Sequence, residues 1–135
     1  MAYKIIDVEG VGPAYAEKLE AAGVKTTDTL LEKCSAPKGR KELAETTGIP
    51  EKLILKWTNH ADLFRVRGIG PQFAELLEAA GVDTVKELGH RVPANLVAKM
   101  LEVNESKHLV GRVPTETEVK KMVEEAKTLP AVITY

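Results

Sequence analysis

What this chain has little of bounds it first. One cysteine, Cys34, stands among 135 residues, so an intramolecular disulfide and a cysteine-based metal site are both excluded. Aromatic residues make up 4%. Ala, Leu, Val, Glu and Lys dominate instead, a mix that favours helix over sheet. No apolar run reaches membrane-spanning length, and Met1-Ala2-Tyr3-Lys4 opens no secretory apolar segment. A cytoplasmic protein without a membrane partner is expected. An excess of charge is also missing. Net charge is −1, with 9 basic and 10 acidic residues in 1–62 and 10 of each in 63–135. Strong non-specific polyanion binding is therefore not indicated, and any nucleic-acid contact has to rest on a local patch.

Devices for catalysis are absent too. His60, His90 and His108 lie far apart, with no metal-type spacing. There is no Gly-x-x-x-x-Gly-Lys-Ser/Thr loop. Gly10-x-Gly12 and Gly68-x-Gly70 lack a third glycine and follow no predicted strand, which excludes a dinucleotide fold. No pair of carboxylates stands out for acid–base work. The chain is expected not to be an enzyme, to hold no metal or cofactor and to take no small-molecule substrate. Asn104-Glu105-Ser106 fits a glycosylation sequon and is read as coincidence, since no export signal accompanies it.

What is present is a repeat. Val8-Glu9-Gly10-Val11-Gly12-Pro13 returns 58 positions later as Val66-Arg67-Gly68-Ile69-Gly70-Pro71. From Ile6/Phe64 to Leu31/Gly89, 14 of 26 paired positions are identical. In each copy proline opens a helix and glycine (Gly23, Gly81) stands just past its end. Tyr15, Leu19 and Ala22 share one apolar face, as do Phe73, Leu77 and Ala80. Thr26 and Thr84 cap the short helices that follow. Pro37 to Thr47 predicts a third helix, stopped by Gly48, and Pro50 opens a fourth to about Asp62. In the second half Pro93 opens a helix, and Thr115 caps a last one carrying Val119, Met122, Val123 and Ala126. The chain divides as 1–62 and 63–135. The helix through Trp57 is expected to tie the two units together as one rigid body, with the apolar tail packed against it.

The Gly-x-Gly-Pro turn feeds a helix N-terminus. Unpaired amides and the positive end of the helix dipole converge there, a geometry that binds anions. Val11 and Ile69 are expected to point inward. On these residues, with Leu19 and Leu77, the sequence resembles the helix-hairpin-helix family, over roughly 20 residues in each half. The whole layout, with its closing Leu129-Pro130-Ala131-Val132-Ile133-Thr134-Tyr135, resembles an uncharacterised bacterial family built from two such units. The resemblance implies an all-α fold of two tandem helix-hairpin-helix units, bundles similar to SAM domains and packed as one body. It also implies sequence-independent contact between the turn amides and nucleic-acid phosphates.

Charge separates the two turns. Asp7 and Glu9 flank Gly10-Val11-Gly12 and repel phosphate, whereas Arg65 and Arg67 flank Gly68-Ile69-Gly70 and attract it. Where DNA-binding members of the family often carry Lys, Arg or Thr, this chain has Ala14-Tyr15 and Gln72-Phe73. The candidate nucleic-acid-binding residues are Arg65, Arg67, Gly68, Ile69, Gly70 and Gln72, with Gly10, Val11 and Gly12 behind them. The basic run Lys38-Gly39-Arg40-Lys41 is either a solvated surface run or a source of phosphate contacts through Lys38, Arg40 and Lys41. Weak, non-specific nucleic-acid binding is the first expectation, and a protein–protein interaction module with purely structural turns is the alternative. Cys34 and Trp57 are expected in the core.

Overall fold

A computed structural model describes residues 3–135. It is all-helical, and the described residues form no strand beyond an isolated antiparallel bridge between Lys4 and Thr26. Two compact units emerge. One takes the chain up to Asp62 together with Val132–Tyr135, and the other takes Leu63–Ala131. A division by sequence order at residue 62 assigns the tail to the second half. Its contacts place it with the first instead.

The first unit begins with a 3-10 turn, Ile5–Asp7, that the sequence pattern does not announce. Then come α1 (Pro13–Ala21), α2 (Thr27–Cys34), α3 (Pro37–Thr47) and α4 (Glu51–Leu63), whose last residue already belongs to the second unit. Proline supplies the first residue of α1 and α3, where its missing N–H costs nothing. The Thr26 hydroxyl caps α2 by accepting from the Thr29 amide at 3.3 Å. Gly48, with φ 75°, ends α3 in the left-handed region that glycine enters without strain. Ile5, Leu19, Leu30, Ile54 and Trp57 are among the fully buried side chains.

Helices α2 and α3 approach unusually closely, and Gly39 is the reason. A β-carbon at Gly39 would overlap the carbonyl oxygen of Lys33. Next to it, Arg40 turns inward and is only 4% exposed. Its guanidinium donates to the Cys34 carbonyl at 2.9 Å, the Ser35 carbonyl at 3.1 Å and the Thr134 carbonyl at 2.7 Å. A cation thus caps the C-terminus of α2, where carbonyls lack intrahelical donors. The same group holds the tail, and the Thr134 amide reinforces it by donating to the Ser35 carbonyl at 2.7 Å.

The second unit contains α5 (Pro71–Ala79), α6 (Val85–Gly89), α7 (Pro93–Lys107) and α8 (Glu116–Thr128). Helix α8 packs on α6 and α7, and α5 packs on α7. Thr84 caps α6. Thr115 and Glu118 form a reciprocal capping box at the start of α8. Helix α7 runs one turn beyond its last apolar position, Val103, and stops at His108, a non-glycine with φ 50°. The Asn104 side chain fixes the exit. It donates to the Val110 carbonyl at 3.0 Å and accepts from the Val110 amide at 2.9 Å. No helix of the described residues is long and apolar enough to cross a membrane.

Candidate functional site

The two Gly-x-Gly-Pro turns have nearly the same backbone. Gly10 and Gly68 have φ of 89° and 92°, so the first glycine of each is a conformational necessity. Val11 and Ile69 are buried, as inward pins should be. Their amides are consumed inside the turn, Val11 donating to the Val8 carbonyl at 3.0 Å and Ile69 to the Val66 carbonyl at 3.3 Å. This corrects the expectation that the Ile69 amide faces a ligand.

The second glycine of each turn has a different status. Gly12 (φ −80°, ψ 176°) and Gly70 (φ −106°, ψ −177°) are extended, a conformation open to any residue. A β-carbon on Gly12 would meet nothing within 4 Å. Both glycines are N-caps with no side chain to offer, and Pro13 and Pro71 have no N–H. The first intrahelical bonds run from Ala16 to the Gly12 carbonyl and from Ala74 to the Gly70 carbonyl, each at 2.9 Å. The amides of Ala14, Tyr15, Gln72 and Phe73 therefore precede the intrahelical ladder. Pro13, Ala14 and Gln72 are exposed.

Each turn also rests on a long helix of its own unit. A β-carbon at Gly10 would lie 3.4 Å from Trp57 Nε1, and one at Gly68 would lie 3.2 Å from Met122 Cε. Trp57 is 1% exposed and its Nε1 has no hydrogen-bond partner. The Tyr15 ring packs on it at 5.2 Å between centroids. Sequence periodicity marks Trp57 and Met122 as core residues but cannot say that they are the floors of the turns.

The flanking charges are less available than the sequence suggests. Arg65 is half-buried and donates to the Pro130 carbonyl at 2.8 Å. Arg67 is exposed, but its backbone amide donates to Glu125 Oε2 at 3.1 Å, so a carboxylate already stands beside the turn. A groove of about 380 Å³ there is lined by Arg67, Lys121 and Met122 with the acids Glu118 and Glu125. In the other unit Lys38 and Lys41 are exposed on α3. Arg40 is buried against three carbonyls, so the basic run contributes two surface charges and not three.

Cys34 is fully buried, and desolvation pushes its thiol up to about 11 despite the opposing charge of Arg40. It is a poor nucleophile at neutral pH.

No curated protein and no solved structure matches this chain. Residues 9–129 match a family described as "Domain of unknown function (DUF4332)". That span takes in both glycine turns and all of α1 to α7, together with α8. The chain belongs to the DUF4332 family.

Proposed function

We propose that this protein is a non-catalytic binding module of two tandem helix-hairpin-helix units that grips nucleic-acid backbone phosphates without reading sequence. The observation that carries the reading is Gly12. Its backbone does not need glycine, and the space beside it is empty. A serine there would cap α1 with its hydroxyl and add a few tenths of a kcal/mol. The same chain uses that device at Thr26, Thr84 and Thr115. Helices α3 and α7 also begin uncapped, at Ala36 and Val92, but a β-carbon stands at those starts. Glycine at the α1 and α5 starts leaves donors open to a molecule that comes close to the backbone.

In the second unit Arg67 supplies the outward charge, with the Gly70, Gln72 and Phe73 amides as donors. With so few cations, affinity belongs in the range of non-specific binding, about 10⁻⁴–10⁻⁶ M, and is steeply salt-dependent. Fluorescence anisotropy of labelled duplex and single-stranded DNA tests this at about 50 and 200 mM salt. Binding that weakens with salt, with Arg67→Ala and with Gly12→Ser supports the reading. No binding at the lower salt with the protein in large excess sinks it. A second reading, a protein-interaction module, draws on α7, where Leu101 is 54% exposed, and on Val92 at its N-cap, 57% exposed.

A further inference from the structure

A different concavity in the second unit has a simpler charge pattern. It measures about 200 Å³ and gathers Lys86, His90 and Lys127 around a floor that includes Gly89 and Leu129. Lys86 and His90 are four apart, so α6 and its C-cap present them from one face. Lys127 arrives from the last turn of α8. Gly89 lies where the two helices meet. It is buried, and a β-carbon there would lie 3.5 Å from Lys127 Cγ and 3.6 Å from the Lys127 backbone nitrogen.

No carboxylate lines this pocket. The groove beside Arg67 contains Glu118 and Glu125, and a third, between α2 and α3, contains Glu42. Among the described residues the side chains of Lys86, His90 and Lys127 have no ion-pair or hydrogen-bond partner, and the adjacent Glu87 is held by Arg91 at 2.9 Å. Cations near helix C-termini also offset the helix dipole, so part of this charge has a structural use. Two helix ends carry about −0.5 each. Two ammonium groups exceed that sum.

The pocket is smaller than sites for drug-sized ligands, which run from about 300 Å³. Its lining has no guanidinium, the planar fork that matches a carboxylate, and offers compact point donors instead. A doubly charged group gains more from two ammonium groups, with an imidazole beside them that can donate a hydrogen bond, than a singly charged phosphodiester does. We infer that Lys86, His90 and Lys127 form a binding site for the dianionic phosphate group of a small phosphorylated molecule. The site is separate from the glycine turns, and the inference does not depend on nucleic-acid binding there.

Amide NMR spectra of the full chain, titrated with inorganic phosphate and with O-phosphoserine against chloride at matched ionic strength, test it. The pH is set to about 7.5, where the phosphate is mostly dianionic. The expected result is saturable shifts confined to the amides of Gly89, His90, Lys127 and their neighbours. A Lys86→Gln/Lys127→Gln variant changes two exposed side chains and keeps the remaining spectrum. It should weaken binding about tenfold or more. Shifts that never saturate, or that persist unchanged in the double variant, overturn the site. So does a result in which duplex DNA moves these amides while phosphate and phosphoserine do not.

Discussion

The guanidinium of Arg40 donates to the carbonyl of Thr134 at 2.7 Å, across 94 residues of chain. The same side chain caps the last carbonyls of α2, and its carbon Cζ lies 5.8 Å from the centre of the Tyr135 ring. One buried cation thus closes α2 and binds the tail. Arg40→Ala takes the guanidinium donor from the Cys34 and Thr134 carbonyls, while the Ser35 carbonyl keeps the Thr134 amide, at about 1–3 kcal/mol for each unsatisfied group. The expected loss is about 2–4 kcal/mol in urea unfolding, with new proteolytic cleavage in the tail. A loss below about 0.5 kcal/mol, the range of ordinary surface substitutions, refutes the clamp.

Glycine substitutions should separate packing from access. Gly39→Ala drives a methyl into the Lys33 carbonyl, so α2 and α3 must move apart. A cost of about 1–3 kcal/mol is expected from overpacking. Gly12→Ser enters empty space with an ordinary φ and keeps a good N-cap, so it should change stability by less than about 0.5 kcal/mol. Comparing the two by thermal unfolding decides the point. Equal effects would refute the assignment of Gly39 to packing and Gly12 to access.

Acid should loosen the start of α8. Arg112 Nη1 donates to Glu118 Oε1 at 2.8 Å, the Thr115 amide donates to the same oxygen at 3.1 Å, and together they hold the carboxyl down at about 2 from an ordinary 4.5. The folded state therefore favours the ionised form. Its contribution is complete above pH 4.5 and fades as pH falls towards 2. Side-chain NMR titration should place the Glu118 midpoint well below that of the other glutamates. Arg112→Ala should move it back up.

The Cys34 thiol should resist modification. Buried and raised to about 11, it should react with a thiol reagent at neutral pH only when the first unit opens. The reaction rate should therefore rise with denaturant. Rapid stoichiometric labelling of the folded protein would contradict the burial.

The helices were legible because their signals are local. Proline at the first position, threonine caps and glycine stops each act within a few residues, and these mark α1 through α8 to within a residue or two at most ends. Positive φ at Gly10 and Gly68 follows from a turn that repeats in sequence. The 3-10 turn is not legible because three residues are too few for a period, and residues 104–107, the final turn of α7, contain no apolar position that would extend its pattern.

The Lys38-Gly39-Arg40-Lys41 run marks the limit of the pattern. As sequence it is a cluster of charge. In the fold Gly39 is a contact point, Arg40 is a buried clamp, and only Lys38 and Lys41 remain on the surface.

By itself, the sequence determined the helical class, the duplicated turns and the buried pins, since local backbone preference and apolar spacing decide those. Tertiary structure alone decided which charges are free. Whether an arginine faces water or a carbonyl depends on residues distant in the chain, such as Thr134 for Arg40 and Pro130 for Arg65. It likewise brought Lys127 to Lys86 and His90, 41 and 37 residues apart in sequence, because α8 packs on α6.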